Sequence, residues 1–455
     1  MVFDSSARYQ GVSLNDVLLK GPDLCNGLLG ILLRFRREAV AVTMDIEQMF
    51  YNFKRSDHDV KELVSHNFYV DDGLFSCPDE DEAIGLVHKT KRALYKGGGL
   101  RLHKFASNSR KVLDSFKSDD LANDFKDLDL GRDTLPIQRS LGLLWNTDHD
   151  VFTFRVSKDL KPYTKRGVLS TINSLYDPLG FASPVIIRGK LLLREGMTSS
   201  QKLDWDDPLP DSLRKEWQAW VQSLAHLESL HIERKYGGIS FSLAVIQEVH
   251  IFCDASKDAI GAVAYLKSQL NNSTEVCFLL GKAKVSPASG ITIPRSELCA
   301  AVLAVELADI IKEQLVIDSD SFFFYTDSQV VLGYITNITR RFYVYVGNRV
   351  SRIRLSSKPT QWRYVPSAVN PADLATCSVD AEDLPSSTWL KGPEFLRIDS
   401  DAPKCLPFPM VDPDHDKEVW PEVHCYKTEE VDTYIPRLGS YRSRDSLAGK
   451  ALFSQ

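Results

Sequence analysis

Four acidic residues in the second half of the chain stand where regular elements begin or end: Asp254, Glu297, Asp327 and Asp373. Asp254 follows the apolar run Val249-His250-Ile251-Phe252-Cys253, which predicts a strand. Glu297 falls in the first turn of a long apolar-periodic helix predicted over 296–314, and Asp327 just after a strand predicted over 321–326. Asp373 falls in the first turn of a last helix, which Asn370-Pro371 opens with a cap and a first-turn proline. Acids at strand ends beside helix starts can converge on one edge of a sheet. Four converging carboxylates do not stay charged together without cations. A pair of Mg²⁺ ions (or Mn²⁺) about 3.5–4 Å apart would answer that need, activating a water and stabilising the leaving oxygen in phosphodiester hydrolysis. Each acid alone also has an ordinary structural use, as turn chemistry or as a complement to a helix dipole. The set of four, in this order of elements, is what favours chemistry.

A second group is cationic. Residues 340–363 hold Arg340, Arg341, Arg349, Arg352, Arg354, Lys358 and Arg363 with no acid among them, interleaved with Phe342, Tyr343, Tyr345 and Trp362. Cations can track phosphates and aromatic faces can lie against sugars or bases; a solvated helix face with core aromatics is the plainer alternative. A third group lies near the amino terminus. Asp45 ends the β-branched run from Ala39 to Met44, and Asp71-Asp72-Gly73 forms the tip of a hairpin predicted over 67–76. Alone, that tripeptide is common hairpin-turn chemistry.

Several elements must position these residues. An apolar helical pattern runs from Leu24 to Phe35, and an amphipathic helix from Asp79 to Lys96 is stopped by Gly97-Gly98-Gly99. Residues 140–156 alternate like strands around Asp148-His149-Asp150. From Val168 to Trp220 the pattern is mostly helical, broken at Asp177-Pro178-Leu179-Gly180 and at Asp206-Asp207-Pro208, and Gly237-Gly238 reads as a linker. Beyond it, further strands are predicted over 259–266, 276–285 and 361–365, with a helix over 328–335. Three consecutive strands and then alternating helices and strands predict a mixed sheet covered by helices. Residues 399–432 carry ten acidic residues, three basic residues and five prolines, the composition of a tail or linker.

Composition bounds the rest. A length of 455 residues predicts about three domains of roughly 150 residues. With 43% hydrophobic and 25% charged residues, collagen-like, wholly disordered and disulfide-scaffold classes are excluded. The longest uncharged apolar run, Leu28 to Leu33, is stopped by Arg34, so neither a transmembrane helix nor a membrane partner is expected. The amino terminus lacks the plan of a secretory signal, and eight scattered cysteines without a C-x-x-C pair fit a reduced compartment. An intracellular location, cytoplasmic or nuclear, is expected, with no small-molecule cofactor. The net charge of −6 gives no global sign of a nucleic-acid partner, so recognition has to be local.

Asp254-Ala255-Ser256, Ser296-Glu297-Leu298, Thr326-Asp327-Ser328 and Asn370-Pro371-Ala372-Asp373 resemble the four motifs of a retroelement ribonuclease H domain. The chain over about residues 1–395 resembles the pol polyprotein of a BEL/Pao-type long-terminal-repeat retrotransposon. Further carriers are Phe68-Tyr69-Val70-Asp71-Asp72, Leu102-His103-Lys104-Phe105-Ala106-Ser107-Asn108, Tyr176-Asp177-Pro178-Leu179-Gly180 and Ile293-Pro294-Arg295. The resemblance implies an α/β and α+β multidomain chain. A truncated reverse-transcriptase palm over 1–130 and a partly helical connection over 131–245 would precede a five-stranded ribonuclease H-like domain over 246–380. A largely disordered acidic tail over 381–455 would follow.

It further implies Mg²⁺- or Mn²⁺-dependent cleavage of the RNA strand of an RNA·DNA hybrid, with Asp254, Glu297 and Asp327 holding the metals and Asp373 completing the site. Related sites often carry a mobile histidine before the last aspartate. No histidine occurs here between Ile251 and Asp414, which implies slow turnover. Asp45, Asp71 and Asp72 would be the acids of a polymerase remnant. Only 25 residues, Ile46 to Val70, separate their motifs, and the chain begins inside the family's palm and fingers, so polymerisation is expected to be lost. No Asp-Thr-Gly or Asp-Ser-Gly peptidase motif and no integrase-type zinc spacing occurs. Two alternatives stay open: a decayed or domesticated remnant that binds nucleic acid without cleaving it, and, more weakly, a 3′–5′ exonuclease, whose Asp-x-Glu pair is missing because Ala255 and Ser256 follow Asp254.

Overall fold

The computed structural model describes residues 6–17, 26–47, 58–125, 135–197 (without 141, 158 and 160), 204–287, 291–398 and 408–421. The predicted helix starting at Leu24 is seen from Leu28 to Phe35; its first residues, and Gln48 to Phe50 after Asp45, lie outside the described residues.

The first sheet is antiparallel throughout. Its order is Phe68–Tyr69, Asp72–Cys77, Val40–Glu47 and Arg101–Ser107. The central Val40–Glu47 strand buries side chains on both faces, which explains its unbroken β-branched run. Helices His58–Asn67 and Glu80–Gly98 cover one side. The longer helix begins where the Asp79 side chain accepts the Glu82 N–H (2.9 Å) and ends at Gly99 in the left-handed region (φ 65°). Val42, Phe75, Val87, Leu102 and Phe105 form a core of their own here.

A second, four-stranded antiparallel sheet has the order Ile232–Glu233, Val151–Thr153, Leu143–Asn146, Ile137–Ser140. Three helices accompany it, Lys165–Ser174, Ser183–Met197 and Arg214–Ser223. The third sheet has five strands in the order Ser273–Val285, Ala259–Leu270, Ile246–Ala255, Phe322–Thr326, Trp362–Tyr364; the first three pair antiparallel and the last two join in parallel. Helices Ile293–Leu315, Gln329–Thr336 and Val344–Ser356 pack around it. One continuous core joins the second and third sheets: Trp145, Phe152, Phe181 and Trp220 belong to the same buried cluster as Ile251, Tyr265, Leu298 and Trp362.

Three expectations need correction. Gly237-Gly238 is a packed turn rather than a loose linker, because Tyr236 N–H donates to the Arg36 carbonyl and Ile239 N–H to Glu275. The last helix is brief, a 3₁₀ turn over Pro371–Asp373 followed by Leu374–Cys377. The expected tail also starts too early at 381. Ala381, Leu384, Trp389 and Leu396 are buried, and the Trp389 indole donates to the Gly180 carbonyl (3.0 Å). A few apolar anchors decide packing there, whatever the acidity of the residues around them. Residues 408–421 lie along the third sheet's helices; 399–407 and 422–455 lie outside the described residues.

Candidate active site

Two parallel strands bring the first two acids together. Asp254 sits near the end of Ile246–Ala255, and the neighbouring Phe322–Thr326 strand, paired from Val249–Phe322 to Phe252–Tyr325, leads directly into Asp327. Glu297 is carried by the first turns of the Ile293–Leu315 helix, whose start is fixed by Pro294. Asp373 is brought in by the Asn370 turn. The Asn370 side chain accepts the Ala372 N–H and donates to the Cys253 carbonyl (3.1 Å), tying that turn to the strand that carries Asp254. Close approach requires a glycine on the facing strand: a Cβ at Gly261 would stand 2.7 Å from the Ala375 Cβ and 3.1 Å from the Ala372 carbonyl.

Each carboxylate is engaged by a neutral donor. Thr376 donates to Asp254, Ser328 to Glu297, Ser367 to Asp327, and the Cys377 thiol to Asp373 (3.3 Å). Among the described residues, no lysine, arginine or histidine pairs with any of the four. The electrostatic result is strain on the anions. Burial, joined by the charges of Asp327 and Asp373, pushes the Asp254 carboxyl up to about 6. Burial raises Glu297 as well, with Asp327 and Asp254 contributing. Among the described residues no three His, Cys, Asp or Glu side chains meet closely enough to hold an ion as they stand. The donor set nevertheless fits a hard divalent cation, being all carboxylate oxygen, with two members whose ionised form is disfavoured.

The amino-terminal acids meet differently. Asp45 and Asp72 face each other across antiparallel strands, and the Asp71 carbonyl accepts the Ile46 N–H (3.0 Å). Burial raises the Asp72 carboxyl, helped by Asp71 and Asp45. Asp45, in contrast, already has a cationic partner in Lys104 (Nζ at 2.8 Å) and a second neighbour in the His103 imidazole (Nε2 at 3.1 Å). A register shift next to Thr43 and a positive φ at Lys104 (54°) aim that ammonium at the acid. In the sequence His103 and Lys104 stand out only within the Leu102–Asn108 motif, and nothing in their spacing announces this pairing, which depends on the bulge.

The seven cations of 340–363 do not form an unpartnered row. Arg340 reaches Asp414 (2.5 Å), Arg352 Asp309 (2.5 Å) and Lys358 Asp320 (2.5 Å). Arg354 donates to the Ile335 carbonyl (2.9 Å) and to that of Asn337, satisfying the end of the Gln329–Thr336 helix. Arg363 lies over the Phe323 ring (4.3 Å) and Arg349 over Tyr345 (3.5 Å), while Arg341 is exposed. Acids from distant segments supply partners that a sequence window cannot see.

Residues 164–328 match the family model described as Pao retrotransposon-like RNaseH-like domain. This segment is Pao retrotransposon-like. The match bears out the BEL/Pao resemblance over these residues and spans Asp254, Glu297 and Asp327 but not Asp373. A search of curated proteins finds no match. In three dimensions the chain is similar to a foamy viral protease-reverse transcriptase solved with an RNA/DNA hybrid, with 14% identity, TM-score 0.44, and coverage of 75% of this chain and 46% of that one. It therefore spans about half the length of that protein. It is also similar to an N-terminal ribonuclease H domain from Mycobacterium tuberculosis, solved as a fusion with maltose-binding protein (15% identity, TM-score 0.22, 31% of this chain, 97% of that one). A ribonuclease H1 from Halobacterium salinarum NRC-1 is similar too (16% identity, TM-score 0.20, 28% and 89%). No described helix is long and apolar enough to cross a membrane.

Proposed function

We propose that the Pao-like chain is a metal-dependent ribonuclease that hydrolyses the RNA strand of RNA·DNA hybrids at Asp254, Glu297, Asp327 and Asp373. One observation carries the reading: four carboxylates share a half-buried edge without a protein cation, while Asp45 in the first sheet is already paired with Lys104 and His103. Asp254, Glu297, Asp327 and Asp373 would hold two Mg²⁺ or Mn²⁺ ions. The chemistry these supply when bound is an acidified water and charge neutralisation at the scissile phosphate. The protein's own part is positional. Thr376, Ser328 and Ser367 fix the carboxylate rotamers, and Asn370 holds the Asp373 turn against the central strand. No histidine lies between Ile251 and Asp414, so no imidazole from that stretch shuttles the proton and turnover is slow.

The test is cleavage of a labelled hybrid by the purified full chain with Mg²⁺. Asp254→Asn and Asp327→Asn should each reduce cleavage to background. The apo fold should remain, with a thermal midpoint no lower than wild type, because removing one buried like charge relieves repulsion. Equal cleavage by wild type and both variants would overturn the assignment. Binding without cleavage by the wild type would instead favour a noncatalytic remnant, a reading to which the neutral donors already on all four carboxylates lend support.

A further inference from the structure

Residues 408–421 lie as a strap along the helices that follow Asp327. Thr336 Oγ1 donates to the Phe408 carbonyl (2.7 Å) and the Tyr334 hydroxyl to Asp416 (2.6 Å). A short backbone bridge joins Phe342 to Val419, with Tyr343 N–H donating to the Glu418 carbonyl (3.0 Å) and Trp420 N–H to that of Arg341 (2.8 Å). The Trp420 ring packs 5.6 Å from Tyr343. The strap is acidic at every second position, with Asp412, Asp414, Asp416 and Glu418. Glu418 accepts both Nε (2.6 Å) and a terminal nitrogen (3.1 Å) of Arg295, and Asp414 accepts Arg340.

These cations are carried by elements that adjoin two of the four acids: Arg295 by the helix of Glu297, and Arg340 by the turn after the Gln329–Thr336 helix, which begins two residues after Asp327. Arg295 precedes Glu297 by two residues in the same helix. Its guanidinium sits 4.5 Å over the Tyr345 ring, which Arg349 also approaches at 3.5 Å. Two forked guanidiniums, a shared aromatic ring and the exposed Arg341 make a surface suited to a phosphodiester backbone, since an arginine fork takes two oxygens of a carboxylate or of a phosphate alike. Of the strap's carboxylates, Glu418 and Asp414 reach Arg295 and Arg340, while Asp416 accepts the Tyr334 hydroxyl.

We propose that the acidic strap occupies the phosphate-binding face of the nuclease and that nucleic acid must displace it to reach the four carboxylates. The inference rests on the proposed nuclease reading and adds an intramolecular competitor to it. Partly exposed ion pairs of this kind are individually weak, so the strap is held loosely enough for a long polyanion to replace it.

The experiment measures hybrid binding by anisotropy with the full chain in EDTA, so that cleavage does not interfere. Asp414→Asn/Asp416→Asn/Glu418→Gln should tighten binding on the order of tenfold at low salt, because a competitor that reduces the open fraction weakens apparent affinity in proportion. Glu418→Gln alone, which keeps the backbone bridge, should give a smaller gain in the same direction and guards against misfolding of the triple variant. Emission from Trp420, taken as the difference between wild type and Trp420→Phe, should change with the same midpoint as anisotropy. Equal affinity for wild type and both strap variants would overturn the strap proposal and leave the nuclease reading standing. Failure of all of them to bind hybrid while folded would overturn both. Cleavage by wild type in Mg²⁺, measured in parallel, separates the two failures.

Discussion

A threonine hydroxyl reaches Asp254, while an ammonium and an imidazole reach Asp45. The two aspartates have the same local setting in sequence, each at the end of an apolar run. Their different surroundings come from residues 122 positions away in one case and 58 to 59 in the other. The placement of the four proposed nuclease acids at strand ends and helix starts was legible because such ends can be read from hydrophobic period and capping residues. Their hydroxyl partners were not, since Ser328, Ser367 and Thr376 are ordinary polar residues until the fold points them inward. At this scale the chain should fail to extend a primer. Three acids meet in the first sheet, but Lys104 neutralises one of them, and only 25 residues, Ile46 to Val70, separate Asp45 from Asp71. Losing alignment of primer, template and nucleotide could raise the barrier by roughly 7–11 kcal/mol. Template-directed incorporation with Mg²⁺ or Mn²⁺ should be absent from wild type and from Asp71→Asn/Asp72→Asn alike. Extension that vanishes in the variant would disprove this.

Among the elements, the joint at Asp177-Pro178-Leu179-Gly180 has the most to teach. The sequence marks it as a helix break, and it lies between the Lys165–Ser174 and Ser183–Met197 helices. It is also a docking point. Gly281 N–H donates to the Leu179 carbonyl (2.9 Å), and a Cβ on Gly180 would stand 1.9 Å from the Gly281 carbonyl. That contact crosses from a helical segment to a sheet strand about a hundred residues on, which no local pattern encodes. The Asp177 carboxylate inside the joint accepts the N–H groups of Phe181 (2.9 Å) and Ala182 (2.8 Å), yet burial pushes it up to about 6. A carboxyl whose folded pKa exceeds its unfolded value binds its proton more tightly when folded. Its contribution to stability is therefore complete below about pH 4 and is lost as pH rises to about 6, by roughly 3 kcal/mol at most. Urea unfolding across that window should show wild type losing stability relative to Asp177→Asn as pH rises. Parallel pH curves for the two would show that the carboxyl stays ionised in the fold.

For the whole molecule, two buried arginines matter most. Arg234, fully buried, pairs with Asp150 through Nε (2.7 Å) and Nη2 (2.8 Å) and donates to the carbonyls of Phe35, Glu38 and Ala39. Arg36 donates to the carbonyls of Arg234 (2.8 Å) and Phe278 (2.9 Å) and lies 4.4 Å from the Tyr236 ring centre. Together they stitch the segment before the first sheet to the second and third sheets. Neither was legible in the sequence, where each is one arginine in a polar stretch. Arg234→Gln should cost about 3–5 kcal/mol, since it strands a part-buried carboxylate and several buried carbonyls. Chemical unfolding followed by tryptophan emission and by far-ultraviolet dichroism measures it; a loss under about 1 kcal/mol would mean that water enters and replaces the guanidinium.

The Trp389 indole on Gly180, lying where a Cβ of Gly281 would stand 2.3 Å from the ring, has a consequence for how such a gene can be cut and rejoined. A recombination breakpoint between residues 245 and 246 would pair a foreign helical joint with this sheet. Any side chain larger than hydrogen at either glycine would then collide with carbonyl or ring. Such a swap keeps the packing only where the incoming joint also brings a glycine to the position of Gly180 and leaves the Trp389 indole its carbonyl acceptor.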